Sequence, residues 1–326
     1  MPTLTKRFSF LILSLFYVVS PCKGQNKYRP KIAEFSYRAL YDYNTRSVSE
    51  EFGNANTEVE EDEQLKIRLG LPLTMKKGKL VGLQLKYDVH NFSMDFQNSN
   101  NELFNHIERR TFRSLGGRML YQRSLNDRKS YTLIGGAEIK SDQFNWNNNT
   151  MRFYVNGNYK VKLNERTQIG GGVLAGYTLG LFQVYPIFTY EHQLSNRFTI
   201  DLTLPKSAVL RFRGSNKFYI SAKAEVKGWR YAVHNSELSE TNPLVLRRAD
   251  LNLGLSFERE IHDWLWLGLD MGLTKYFRYH LGDPGHRSRD AIDHLQANDA
   301  PDAQLGLFIV PPRKFFREFV LVQTIP

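Results

Sequence analysis

Cysteine is nearly absent from this chain of 326 residues: Cys22 is the only one. It lies in a leader-like N-terminus. Lys6 and Arg7 precede an apolar run, Phe8–Val19, and Cys22-Lys23-Gly24 forms a small-x-small pattern before Gln25. Residues 1–24 therefore read as a cleaved secretory signal peptide. The apolar run is too short for a membrane anchor, and Pro21 is a poor residue before an acylated cysteine. A chain cut after Gly24 keeps no thiol, which excludes disulfides and cysteine chemistry.

Long apolar runs are missing as well. No later window offers ~18 consecutive apolar residues, so no helix is expected to span a membrane. Catalytic signatures are also lacking. There is no Gly-x-Ser-x-Gly and no His-Glu-x-x-His, and Gly170-Gly171-Gly172 is not followed by the Lys-Ser/Thr of a phosphate loop. Strand glycines of that kind permit bending. No fixed-period repeat and no low-complexity segment appears, so a single domain is expected over residues 25–312. No enzymatic activity, cofactor or catalytic residue is assigned.

Charge is not of one sign. Lys and Arg number 44 against 33 Asp and Glu, for a net charge of +11. Loss of the leader leaves 41 basic residues against 33 acidic ones, or +8. The basic residues are spread along alternating segments and form no stripe, so no nucleic acid is expected as a partner.

Aromatics are plentiful, with 17 Tyr and 22 Phe, and they sit in a period-two pattern. In Leu80–Phe92, Val81, Leu83, Leu85, Tyr87 and Val89 fall on one side of an extended ribbon. Gln84, Lys86, Asp88 and His90 fall on the other. Similar ribbons recur at Lys31–Tyr43, Gln64–Thr74, Glu108–Gln122, Ser130–Ser141, Thr150–Leu163, Thr167–Thr178 and Phe182–Gln193. They continue at Arg197–Leu204, Ala208–Arg213, Lys217–Tyr231, Leu246–Glu260, Trp264–Tyr279 and Asp302–Val310. Most exceed the usual strand length of about five or six residues. Long polar connections alternate with turns of three or four residues. The pattern predicts an all-β fold: a closed antiparallel transmembrane β-barrel of about 14 strands, with short periplasmic turns and longer outer loops. Twelve strands is the alternative if the segment around Pro205 is only a kinked corner. A soluble sandwich would alternate too, but with shorter strands.

The signal ending before Gln25, the strand ladder and the Leu204-Pro205-Lys206-Ser207 corner together resemble an uncharacterised family of Gram-negative outer-membrane β-barrels, over about residues 25–310. The resemblance implies the barrel and its location in the outer membrane, and carries no activity. Such barrels usually end on an aromatic-terminated strand. Here residues 313–326 follow, either as a tail or as an extension of the last strand to about Phe319.

The alternation directs Gln84, Lys86, Asp88, His90, Arg152, Lys160, Glu225 and Asp270 into the lumen, with a modest basic excess. This suggests a narrow porin-like channel for small solutes with weak anion preference, or a plugged structural barrel. The expected surroundings are outer-membrane lipid and lipopolysaccharide, with the chain a monomer. Two alternatives remain: an enzyme acting on envelope lipids, with His90 and Asp88 joining a serine, or a surface-binding protein acting through its outer loops. The acidic segment Ser47–Glu63 reads as a solvated outer loop, lacking calcium-loop spacing. His286, Asp290 and His294, at four-residue spacing, form a weak transition-metal pattern, and no metal site is assigned. Trp264 and Trp266 fall on the inward face and are expected to fill the periplasmic end of the lumen, unless a bulge returns them to the outer girdle.

Overall fold

A computed structural model describes residues 29–48, 55–76, 78–94, 110–144, 149–177, 182–234, 243–284 and 288–314. The leader and most of the C-terminal tail lie outside the described residues. No described helix is long and apolar enough to cross a membrane, and the crossing is made by strands.

Fifteen strand segments form one sheet. In chain order they are β1 (Ala33–Val48), β2 (Ala55–Lys76), β3 (Lys79–Met94), β4 (Thr111–Ser124) and β5 (Lys129–Ser141). Next come β6 (Met151–Asn164), β7 (Thr167–Gly176), β8 (Gln183–Gln193), β9 (Phe198–Leu204) and β10 (Ser207–Ser215). The chain finishes with β11 (Phe218–Val233), β12 (Leu244–His262), β13 (Leu265–Gly282), β14 (Asp293–Ala297) and β15 (Ala300–Ile309). Sequential neighbours pair antiparallel, and β1 closes the ring on β14 and β15, which both also pair with β13. β14 and β15 are two pieces of one last wall strand, so the barrel has fourteen strands. β9 and β10 are separate strands, not one kinked corner.

Period-two alternation makes the wall. Leu69, Leu71 and Leu73 of β2, Phe153 and Val155 of β6, and Leu305 and Leu307 of β15 are among the apolar side chains left exposed on the outside. Alternate positions carry charge into the interior. An outward apolar band on a sheet closed into a ring satisfies most of its backbone groups within lipid. The chain is a closed antiparallel transmembrane β-barrel.

Four departures from strict alternation matter. Asp42, with φ of 50°, takes the left-handed conformation in β1 without shifting the strand's register against β2, β14 or β15. Beyond it the inward set changes phase, so Tyr41 points out while Tyr43, Thr45 and Ser47 are buried. The acidic segment is consequently not a loop: β1 runs to Val48 and β2 starts at Ala55, and Asp62 is fully buried. Trp266 is inward at 3% exposure, packed with Tyr219, Phe308 and Val310, whereas Trp264 is 41% exposed at the turn. The expected pair is therefore split, with a register shift between Glu260 and His262 beside it. The last strand stops at Ile309 and does not continue to Phe319. Finally, β12 is buried on both faces from Leu244 to Asp250. Its top, with those of β11 and β13, contributes to an apolar core at the outer end of the barrel. Leu40, Tyr43, Phe112, Tyr231, Leu246 and Leu281 belong to this core.

Glycine in β7 reflects close approach. A Cβ at Gly170 would lie 2.5 Å from the Thr189 hydroxyl, and one at Gly172 would run into the carbonyl of Gly157. These positions let three adjacent strands pack tightly without a side chain between them.

Candidate functional site

The lumen is a ladder of paired charges. Lys86 forms an ion pair with Glu138, which Lys140 also reaches at 3.3 Å, and the Lys86 ammonium lies 5.3 Å above the Tyr154 ring. Arg68 donates to Asp88 at 2.5 Å. Glu225 pairs with Lys227 at 3.5 Å and Asp270 with Lys223 at 3.4 Å. Arg38 donates to Asp302 at 3.0 Å and to Thr274 at 2.7 Å. Gln84 and Lys160 are half-buried, Lys160 opposite Gly170. Arg152 stands across from Glu138 in the ladder and over the Tyr177 ring at 5.8 Å.

Part of this ladder lines a half-open chamber of about 270 Å³, with Lys31, Lys66, Arg68, Lys223 and Lys227 against Glu34, Glu225, Asp270 and Asp302. A wider bowl of about 620 Å³ opens among the periplasmic turns, with Arg128, Arg166, Arg197 and Arg213 on its lining. Cations exceed anions modestly in both.

His90 lies elsewhere than a solvated lumen. It is 2% exposed and bonds through Nε2 to Asp62. Asp62 also accepts from Arg248 at 2.7 Å, Tyr43 at 3.0 Å and Gln64 at 3.4 Å. Arg248 is held over Trp229 at 4.2 Å and Tyr276 at 5.0 Å. A buried carboxylate needs such donors, because an uncompensated charge there is costly. Asp88 pairs with Arg68 and does not join His90, so the expected dyad is not assembled. Asp62 was hidden in what reads as an acidic loop. The consecutive apolar run Leu244-Val245-Leu246, which breaks alternation, is the signal that both faces of β12 are covered.

One serine, histidine and carboxylate do meet. Ser141 Oγ lies 3.1 Å from His234 Nδ1, and the same nitrogen lies 2.9 Å from Asp142 Oδ1. A nucleophile–base–orienter set needs the two partners on opposite ring nitrogens. Here both converge on Nδ1, and Nε2 is buried without a hydrogen-bond partner. Arg110 adds bonds to Asp142 at 2.5 Å and to the His234 carbonyl at 2.7 Å. The Asp142 amide donates to Ala232 at 3.2 Å, beside a parallel bridge between Ser141 and Ala232. The group ties the top of β11 to the top of β5.

The periplasmic end carries another ionic group. Arg29 reaches Glu260 at 3.3 Å, and Arg313 reaches Asp263 at 2.8 Å and also pairs with Glu260. Lys31 binds Glu258 at 3.1 Å. Burial works against the Lys31 ammonium, but Glu258 and Glu34 outweigh it and hold its pKa above the ordinary value.

Of the weak metal pattern, His286 lies outside the described residues. The His294 ring is tilted against that of His280, with centroids 6.3 Å apart, and no metal-ligand cluster is found among the described residues.

Residues 34–288 match the family model described as Domain of unknown function (DUF6268). The chain belongs to that family. Comparison with curated proteins gives no match. Solved structures with similar folds include an outer membrane channel from Pseudomonas putida F1, at 9% identity and TM-score 0.43, covering 89% of this chain and 100% of the other. The Pseudomonas putida toluene transporter TodX matches at 9% identity and TM-score 0.37, covering 86% and 89%. Outer membrane phospholipase A from Escherichia coli matches at 9% identity and TM-score 0.34, covering 89% and 95%. Identities and scores this low carry no inference about cargo or activity for this DUF6268 member.

Proposed function

We propose that this protein is a narrow channel for small polar solutes, with a weak preference for anions, closed at its outer mouth in the conformation described. It would act as a monomer in the outer membrane of a Gram-negative bacterium after its signal peptide is cleaved. The observation that carries the reading is the 270 Å³ chamber inside the wall, lined by both signs of charge with a small cationic excess. A barrel built only as a scaffold gains nothing from a hydrated, charged interior, since buried apolar contacts stabilise at lower desolvation cost. The outer core of Leu40, Phe112, Tyr231 and Leu246 supports a closed resting state.

Swelling of proteoliposomes in isosmotic solutes is the test. Slow uptake of small solutes, faster for anions than for cations of equal size, is expected. A rate equal to that of protein-free liposomes, for wild type and for a variant with a weakened outer core, would leave only a plugged barrel.

The Ser141–His234–Asp142 group is the specific observation favouring an enzyme. We read it as a clasp, because both partners share one ring nitrogen. The clasp reading expects no Ser141-dependent hydrolysis of phospholipid or short-chain ester. Hydrolysis abolished by Ser141→Ala would favour the enzyme.

A further inference from the structure

The wall has a gap in its outer half. β9 and β10 contain 7 and 9 residues, whereas the flanking β8 and β11 contain 11 and 16. On the β9 side, pairing of β8 begins at Phe188 with Leu204; on the β10 side, pairing of β11 ends at Glu225 with Ser207. Among the described residues, Gln183–Ile187 of β8 and Lys227–Tyr231 of β11 have no ladder partner on these sides. The β9–β10 turn bounds the gap below, and the clasp between β11 and β5 bounds it above. Its lip is apolar: Val184 is 65% exposed, with Phe188 and Leu204 exposed beside it.

Behind this apolar lip stand cations. The Arg230 guanidinium, on the unpaired edge of β11, lies 5.2 Å from the Tyr177 ring, and that of Arg152 lies 5.8 Å from the same ring. Arg152 is 3% exposed and Arg230 4%. Arg230 is hydrogen-bonded to Tyr177, but its Nε has no partner, and neither does Nη2 of Arg152. No carboxylate lies within ion-pair distance of either among the described residues: Glu138 is taken by Lys86 and Lys140. In the ladder Arg230 sits directly opposite Arg247, which donates to the Asp283 carbonyl at 2.9 Å. Like charges placed opposite each other repel, and buried guanidinium donors without partners cost free energy. Both penalties are relieved by one anion.

We propose that Arg152 and Arg230 bind the oxyanion head, phosphate or carboxylate, of an amphiphile that enters through the gap between β8 and β11 from the outer leaflet. The apolar lip accommodates the tail while the planar guanidinium groups take the head in fork geometry. The site is independent of conduction through the lumen, so its test needs only the folded barrel.

Binding of dodecyl phosphate to the full barrel in a neutral detergent, read by native mass spectrometry and titration calorimetry, is the experiment. One bound molecule per barrel is expected, weakened about tenfold by either Arg152→Gln or Arg230→Gln, the loss expected for one charge-assisted bond. Folding of each variant is checked by heat-modifiable gel mobility. Arg152→Lys and Arg230→Lys keep the charge and serve if a Gln variant fails to fold; they should weaken binding by less. Inorganic phosphate is run alongside. Dodecyl phosphate binding with no phosphate binding supports a membrane-derived head. Equal binding of both, lost in the same variants, overturns the amphiphile and leaves a site for a water-borne anion. No binding of either, or binding unchanged in all folded variants, overturns the site.

Discussion

At the scale of the residue, the outer end of the barrel depends on Asp62. Its carboxylate is the counter-charge of fully buried Arg248 and the acceptor for His90 and Tyr43. Asp62→Ala leaves a guanidinium in an apolar core with less compensation. A loss of about 3–5 kcal/mol is expected, the range for breaking a buried pair by removing one partner, measured by urea-induced unfolding from liposomes. Trp266→Ala removes a ring packed on Tyr219 and Phe308, and a loss of about 3–5 kcal/mol is expected in the same measurement. Little of this was legible in the chain. Asp62 reads as solvated because it lies in an acidic run where the inward set changes phase, near Asp42. A left-handed φ at an aspartate leaves only a faint mark in a sequence. Trp266 packed inside and Trp264 exposed at the turn could not be separated, because the residue types do not mark that β13 begins between them.

At the scale of the element, alternation was a faithful guide wherever one face meets lipid. Leu80–Phe92 lies within β3, with Leu85 outside and Lys86 and Asp88 in ion pairs. It failed for the tops of β11–β13, which meet protein on both faces and need no alternation. The clasp sets how firmly β11 is held there. Asp142→Ala removes the acceptor shared by Arg110, the His234 amide and the His234 ring. Faster amide hydrogen exchange is expected in residues 227–233, with β1–β4 unchanged, because the lower part of β11 keeps its ladder to β10. Uniform exchange across the barrel would show that the clasp holds nothing local.

At the scale of the whole molecule, two solvents organise the chain, lipid outside and water within. Leu85→Arg puts a charge on the lipid face midway along β3, and a loss of about 2–4 kcal/mol is expected in unfolding from liposomes. The fold, and the sidedness of the strands wherever one face meets lipid, follow from this division and were legible in the period-two pattern. The closed mouth and the wall gap were not, since each depends on which strands are short relative to their neighbours.

A narrow polar lumen closed by the outer core is open to single-channel recording in planar bilayers. Wild-type barrels should show small, infrequent openings with weak anion selectivity. Leu246→Ser, which puts a hydroxyl into the core, should make openings frequent without changing selectivity, because the charged chamber is untouched. Silence from both proteins, with folding confirmed, would rule out a conducting lumen.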